Sequence, residues 1–280
     1  MNVLEFTTLA ALGSFAAGLL GALTGLGGGV VIVPMLVVFF GIDMPYAIGA
    51  SLVSVIATSS GAAASYVREG YSNIRIAMLL EIATTTGALA GAALVALARV
   101  PTNALSVIFG LMLLFSAYFS SRSHLDAPLA PEPHPLAERL RLDGTFPGPE
   151  GPLPYHVRRV PLGFGLMFVA GVTSGLLGIG SGALKVLAMD QVMRIPFKVS
   201  TTTSNFMIGV TAAASAGVYL NRGYIDPGIA MPVMLGVLAG SLLGARLLNR
   251  LKTRALRVVF AVVIVALAAE MIYKGLTGGL

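Results

Sequence analysis

Long apolar stretches with few charges recur along the whole chain, and they constrain the fold more than any other feature. Of the 280 residues, 56% are apolar and only 11% are charged, whereas a soluble domain has about 25% charged residues. A helix of about 20 apolar residues crosses the hydrocarbon layer of a bilayer. Because several stretches reach this length, the sequence predicts an all-α polytopic transmembrane protein.

Residue types exclude several other classes of protein. The chain has no cysteine, which rules out disulfides and thiolate metal sites. Its three histidines, His124, His134 and His156, all lie in one polar stretch, so a histidine metal centre within the membrane is also excluded. We expect no metal and no cofactor. The net charge of +6 is typical of basic cytoplasmic loops rather than of a nucleic-acid partner.

The chain repeats itself across a polar stretch. Residues 122–160 are rich in proline and charge and predict a polar linker or partly disordered loop. On either side, matching residues lie 153 positions apart. The matches include Phe15 with Phe168, Gly18 with Gly171, Gly25 with Gly178, Gly27 with Gly180, Gly29 with Gly182, Gly87 with Gly240 and Gly91 with Gly244. We divide the chain into a first repeat (1–121), the linker and a second repeat (161–280).

Each repeat is predicted to contain four or five helical segments. The full spans are expected at 46–67, 76–97 and 103–121, and again at 199–220, 228–248 and 255–273. A first helix precedes them, at 6–23 and 161–177, followed by a glycine cluster and a short apolar piece, at 30–41 and 183–193. That piece reaches only about 17 Å, less than the hydrocarbon thickness. It is either half of a re-entrant hairpin or a shortened span.

Both forms of the short piece predict that the two repeats have inverted topology. One face then carries most of the positive charges, and the positive-inside rule makes that face cytoplasmic. The N- and C-termini are expected outside and the linker in the cytoplasm. The basic residues on the predicted cytoplasmic face are Arg68, Arg75, the five linker arginines, Arg194, Lys198, Arg246, Arg250, Lys252, Arg254 and Arg257, against Arg99, Arg222 and Lys274 on the other.

The two glycine clusters, "GLGGG" and "GIGSG", predict breaks in helices at membrane depth. Inverted repeats with paired broken helices are the usual plan of secondary transporters, with the substrate bound at the breaks. Glycine lets a ligand approach the backbone, and a helix that starts there points free N–H groups at an anion. The alternative is close helix packing, which we prefer for Gly87, Gly91, Gly236, Gly240 and Gly244. The candidate substrate-binding residues at the breaks are Thr24, Gly25, Gly27, Gly28, Gly29, Gly178, Gly180, Ser181 and Gly182.

Hydroxyl groups at the start of the next span in each repeat extend the candidate site. Such groups can donate to an oxyanion without the cost of burying a charge. They can equally bond to a carbonyl one turn earlier or to a neighbouring helix. The candidates are Ser51, Ser54 and Thr58 in the first repeat and Ser200, Thr201, Thr202, Thr203, Ser204 and Asn205 in the second.

Ionisable residues at membrane depth are candidates for function. Lys185 follows the second glycine cluster and supplies positive charge to an anion site, pairs with Asp190, or reaches an interface; the sequence leaves these alternatives open. Glu81 is interpreted as an interfacial carboxylate near Arg75, with a coupling proton as the alternative.

The stretch "GLGGGVVIVPML", its echo "SGLLGIGSG" and the later "GYIDP" resemble the TauE/SafE family of bacterial sulfite exporters and related anion permeases. The resemblance covers both repeats and excludes the linker. It implies a proton-linked carrier in the bacterial inner membrane for a small anion such as sulfite, a sulfonate or sulfoacetate.

Together these observations predict a secondary transporter that moves a small anion by alternating access, not an enzyme. The expected partners are the anionic substrate, the lipid bilayer and a coupling proton, and the dense Gly/Ala packing also suits a homo-oligomer. An anion channel, or a permease for an anion without sulfur, is the alternative.

The predicted topology can be tested in intact cells. Because the natural chain has no cysteine, Ser123→Cys introduces a single thiol in the linker. An impermeant thiol reagent is expected to label it only after the membrane is permeabilised. Labelling in intact cells would contradict the cytoplasmic position of the linker.

Overall fold

The computed structural model describes residues 2–24, 28–68, 72–98, 101–122, 135–148, 151–248 and 253–278. Its membrane part is all-α, as predicted from the sequence. Four helices are long and apolar enough to cross a membrane, with shorter apolar helices between them. The four long apolar segments are Leu4–Gly21, Ile74–Val95, Val160–Leu177 and Pro227–Gly244.

The first repeat contains five helices, and all lie within about one turn of their predicted bounds. The second helix is short, as expected, and ends at Gly41, whose left-handed backbone (φ 63°) stops the helix. The helices are α1 (Val3–Thr24), α2 (Gly29–Phe40), α3 (Met44–Arg68), α4 (Ile74–Ala98) and α5 (Thr102–Arg122).

The second repeat follows the same plan. Its short helix has six residues and continues into a π-helical turn, which we call π1. Turns of this kind widen the helix and often lie at functional sites. The elements are α7 (Val160–Leu177), α8 (Gly182–Leu187), π1 (Ala188–Val192), α9 (Phe197–Asn221), α10 (Pro227–Leu248) and α11 (Thr253–Thr277).

Helix contacts correspond between the two repeats. Helix α1 packs on α10 as α7 packs on α4, while α3 contacts α9 and α5 contacts α11. The correspondence extends to single residues: a β-carbon at Gly18 would meet the Val237 carbonyl, and one at Gly171 would meet the Thr84 carbonyl. Both partners of the first pair lie 153 positions from their equivalents in the second. The inverted orientation of the repeats in the bilayer stays a prediction.

The packing interpretation is confirmed for Gly87 and Gly91 in α4 and for Gly236 and Gly240 in α10. A β-carbon at Gly87 would meet the Phe168 carbonyl, and one at Gly240 would meet the Phe15 carbonyl. Gly91 and Gly236 face backbone carbonyls in the same way. Without side chains at these positions, the paired helices approach to backbone contact.

The second part of the linker is folded, whereas the sequence predicted a polar or partly disordered loop. It contains the helix α6 (Pro135–Arg139) and an antiparallel hairpin of β1 (Gly144–Gly148) and β2 (Gly151–Tyr155). Apolar side chains of this segment, including Leu142 and Tyr155, are buried against the membrane helices. Each of these two is flanked in sequence by proline or by polar and charged residues, so an averaged hydropathy profile does not detect it. We call residues 135–159 the linker cap.

Asn73, just before α4, fastens the linker cap to the membrane helices. Its side-chain amide donates to the Tyr155 hydroxyl (2.7 Å) and the Leu142 carbonyl (3.0 Å), and its backbone N–H donates to Thr203 Oγ1 (3.1 Å). Burial raises the pKa of the Tyr155 phenol, the Asn73 hydrogen bond lowers it, and nearby Asp143 raises it further. The net shift is upward, so the phenol stays neutral throughout the physiological range.

Substitution of Gly171 tests the close contact between α7 and α4. Gly171→Leu should lower the thermal stability of the purified protein, because overpacking of this kind costs about 1–3 kcal/mol. Gly165→Leu on the same helix is the control, because a β-carbon there meets nothing within 4 Å. Thermal unfolding in detergent measures both variants. Equal melting temperatures would contradict the proposed contact.

Candidate functional site

Part of the predicted site falls outside the described structure. Gly25 and Gly27 lie outside the described residues, and Thr24 ends α1 with a side chain that is not described. The other predicted residues have defined positions.

The first glycine break leads directly into α2. The Gly28 carbonyl accepts hydrogen bonds from the Val31 and Ile32 N–H groups (3.1 and 3.2 Å), which starts the helix. A β-carbon at Gly29 would lie 2.7 Å from the Val55 side chain and 3.4 Å from the Gly178 carbonyl oxygen. A side chain at Gly29 would crowd those of Val55 and Ser51, at the point where the first break lies against the second.

The second glycine break is held in left-handed backbone. Gly178, Gly180 and Ser181 have φ values of 67°, 71° and 49°. This conformation costs little for glycine but is strained for serine. The Gly178 N–H caps α7 through the Ser174 carbonyl (2.8 Å), and the Ser181 hydroxyl lies 3.0 Å from that of Thr173. These left-handed residues end α7 at Leu177 and precede the start of α8 at Gly182.

Ser51 connects the two breaks. Its hydroxyl lies 2.9 Å from the Gly178 carbonyl and 3.4 Å from the Gly29 carbonyl. With one hydrogen to give, it donates mainly to Gly178. Ser204 occupies the equivalent position of the second repeat, and its hydroxyl donates to the Gly182 carbonyl (3.3 Å). The structure therefore brings Ser51, Gly29 and Gly178 together, while their binding of a substrate stays a prediction.

Most other predicted hydroxyls bond to carbonyls of their own helix or of the turn before it, as the alternative interpretation holds. Thr203 instead accepts the Asn73 N–H described above, and Asn205 is half-buried. Substrate binding by this group stays a prediction, because an anion would have to displace the present bonds. The pairs are Ser54 with Ala50, Thr58 with Val55, Ser200 with Ile195, Thr201 with Phe197 and Thr202 with Lys198.

Lys185 is fully buried, with 0% of its surface exposed. Its ammonium group donates to Thr211 Oγ1 on α9 at 2.6 Å. It therefore does not reach an interface, which removes one of the open alternatives. It lies one turn after the second glycine break, as its backbone N–H bonds to the Ser181 carbonyl (3.0 Å).

The interfacial interpretation of Glu81 is wrong. Glu81 is only 9% exposed, and its Oε1 accepts hydrogen bonds from Thr85 (2.9 Å) and Thr211 (2.7 Å). Arg75 instead points to the linker cap, where it donates to the Arg141 carbonyl (3.4 Å). The linker cap, α7 and α9 pack on α4 and bury the region around Glu81. A hydropathy profile of α4 does not show that these neighbouring elements bury it.

The structure thus contains a chain of hydrogen bonds from Lys185 through Thr211 to Glu81, which we call the charged bridge. It joins α8, α9 and α4, and so both repeats. Sequence reasoning missed Thr211 altogether and preferred the wrong environment for Glu81. The available signal was an ionisable residue within a predicted span. Within the described residues, no cluster of three His, Cys, Asp or Glu side chains could hold a metal ion.

A helical membrane protein with a broken helix in each half and opposite charges buried between the halves has the plan of a membrane transporter. The family model "Sulfite exporter TauE/SafE" matches residues 10–271, and the chain belongs to this family. The resemblance stated from the glycine motifs is thereby confirmed.

Relatives from several organisms match almost end to end. The chain is 27% identical to the probable membrane transporter protein YunE of Bacillus subtilis, over 98% of this chain and 99% of that protein. It is 26% identical to a probable membrane transporter protein of Xylella fastidiosa, over 93% of this chain and 91% of that protein. No solved structure matches.

Replacing Ser51 tests the contact between the two breaks. Ser51→Ala leaves the buried Gly178 carbonyl without its donor, a loss of about 1–3 kcal/mol, and should lower both the melting temperature and transport. Ser54→Ala is the matched control, since Ser54 is equally buried but bonds only to Ala50 of its own helix. Equal behaviour of the two variants would show that the Ser51 bond does not hold the breaks together.

Proposed function

We propose that the protein is a secondary transporter that moves a small anion across the bacterial inner membrane by alternating access, coupled to a proton. The preferred substrates are sulfite, a sulfonate, sulfoacetate or a related carboxylate. The termini lie outside and the linker cap on the cytoplasmic side. The observation that carries the proposal is a fully buried lysine one turn beyond the second glycine break.

Positive charge next to an opened backbone suits an anion. Lys185 supplies the charge, and the contact of Gly29 with Gly178 places the first break against the second. An anion that reaches the breaks gains charge-assisted hydrogen bonds, which are stronger than neutral ones. The description of the family supports sulfite as the first substrate to test, while the names of the relatives state only a probable transporter.

Alternating access requires two halves that move against each other around a shared site. The corresponding contacts of the two repeats support this, because α1 with α10 and α7 with α4 form two similar packed pairs. Transporters with repeats of this kind work by rocking one unit against the other.

The experiment is flux into liposomes that contain the purified protein. The panel is sulfite, methanesulfonate, sulfoacetate, taurine, thiosulfate, lactate and chloride, each with and without a pH gradient. We expect saturable flux of at least one sulfur anion that responds to the gradient. Currents far above the turnover of a carrier would indicate a channel. No flux of any anion through folded protein would overturn the proposal.

The same assay tests the role of Lys185. Lys185→Met should weaken the apparent affinity for the anion by about tenfold or more, since hydrogen bonds to charged groups contribute about 1.5–3 kcal/mol. Lys198→Met is the matched control, because Lys198 is exposed near the start of α9. An unchanged affinity in Lys185→Met would remove this residue from the site.

A further inference from the structure

We propose that Glu81 is the residue that carries the coupling proton, and that the charged bridge ties its protonation to anion binding at Lys185 in a ratio of one to one. This inference rests on the proposed anion transport and goes beyond it, because it assigns the proton to one carboxyl group and sets the stoichiometry.

Charge balance within the membrane supports the assignment. A buried ion is costly unless an opposite charge lies close to it. In the structure, the Lys185 ammonium and the Glu81 carboxylate offset each other through Thr211. An anion that binds at Lys185 adds a second negative charge. A proton on Glu81 removes the first, so that binding of both leaves the buried charge unchanged.

The geometry leaves a place for that proton. Glu81 Oε1 receives both threonine hydrogen bonds, whereas Oε2 is buried and has no hydrogen-bond partner among the described residues. A proton from water would form the O–H bond at Oε2 and return to water on the opposite side of the membrane. This proton does not occupy the oxygen that the two threonine hydroxyls reach.

Thr211 can change partners as Glu81 changes charge. Its oxygen lies 2.7 Å from Glu81 Oε1 and 2.9 Å from the Met207 carbonyl oxygen. The one hydroxyl hydrogen can be given to either acceptor. A carboxylate is a stronger hydrogen-bond acceptor than a neutral carboxylic acid. When Glu81 is protonated, the Thr211 hydroxyl therefore donates to the Met207 carbonyl instead. The hydrogen bond that links Glu81 through Thr211 to Lys185 is then weakened.

The charged bridge departs from the symmetry of the two repeats. Residues 153 positions away from Lys185 and Glu81 are Ile32 and Met234, whereas Thr58 matches Thr211. Packing contacts recur in both repeats, as the glycine–carbonyl contacts do. If Lys185 and Glu81 served packing alone, apolar side chains could fill their positions, as Ile32 and Met234 do in the other repeat. The charges in one half therefore indicate a role other than holding the helices together.

Other ionisable groups stand on the elements packed against the charged bridge, and the test must separate them from Glu81. Asp190 is buried in π1 and has an interaction of its own. The remaining groups with described side chains are Tyr46 on α3, Arg75 on α4, Tyr118 on α5, Lys198 and Tyr219 on α9, and Glu138, Arg139, Arg141, Asp143, Tyr155, His156, Arg158 and Arg159 on the linker cap. In the linker cap, Asp143 is paired with His156 (2.9 Å). Asp190 is the other carboxyl group on the membrane elements among these, and it needs its own variant.

The first measurement uses the natural protein in liposomes with a trapped pH dye and labelled sulfite or methanesulfonate. Methanesulfonate keeps its single negative charge at the pH of the assay and carries no proton itself. Every proton counted has therefore been moved by the protein. Sulfite is used for flux alone, because an anion with two negative charges would not be balanced by one proton. If methanesulfonate is not carried, lactate, which also keeps a single charge, takes its place in the proton count. We expect one proton taken up per anion transported, and tighter anion binding at lower pH. Anion flux without proton uptake would overturn this inference and leave the proposed function standing.

The decisive variant is Glu81→Gln, which keeps the shape of the side chain but cannot gain or lose a proton. Proton-driven accumulation should fall about tenfold or more, the usual size of coupling between two sites. Exchange of labelled for unlabelled anion should continue and no longer depend on pH. Exchange does not require the empty transporter to release its proton, so it reports whether the site is intact.

Two further variants complete the test. Asp190→Asn and Glu270→Gln should each keep proton-driven accumulation within a fewfold of the natural protein. Glu270 is a half-buried carboxyl group on α11, an element that is not part of the charged bridge. If Glu81→Gln still accumulates anion against a proton gradient, or Asp190→Asn loses that ability while keeping exchange, Glu81 is not the carrier. Loss of exchange in folded Glu81→Gln would also overturn the inference. If that variant does not fold, the proton count of Thr211→Val decides, since breaking the bridge should reduce it below one per anion.

Discussion

Backbone groups that leave helical geometry inside the hydrocarbon layer must find hydrogen-bond partners within the protein, and the rest of this structure depends on that requirement. Serines on two full-length helices bond to carbonyls at the glycine breaks: Ser51 on α3 reaches Gly178 and Gly29, and Ser204 on α9 reaches Gly182. Each break is thus held to a full-length helix by a hydroxyl group. Because Ser51 crosses from one repeat to the other, the breaks are also fastened to each other.

Small residues decide how the long helices surround the breaks. Glycines such as Gly87 and Gly171 let backbone meet backbone between α4 and α7, and their equivalents do the same between α1 and α10. Within a bilayer, apolar burial does not drive helices together, so such close contacts supply much of the association. The two packed pairs flank α3 and α9, which contact each other and carry the hydroxyl groups around the breaks.

The two repeats share their packing contacts but differ in their buried charged residues. Lys185 and Glu81 come from different repeats and are linked by Thr211, so each buried charge is tolerated only because the other is present. In the proposed transport cycle, an added proton or an added anion changes the charge balance of these buried groups, and so the same groups that stabilise one conformation also couple it to the substrate.

Hydropathy and spacing by themselves determined the helices, their bounds to within about a turn, the two short pieces and the 153-residue correspondence, because span length and small-residue pattern are local properties. The glycine motifs also determined the family. Only the tertiary structure decided that Glu81 is buried, that Lys185 turns to Thr211, and that the linker cap is folded through Leu142 and Tyr155. These outcomes depend on which helices lie side by side, and partners brought together over 130 positions, as Glu81 and Thr211 are, leave no periodic trace in the chain.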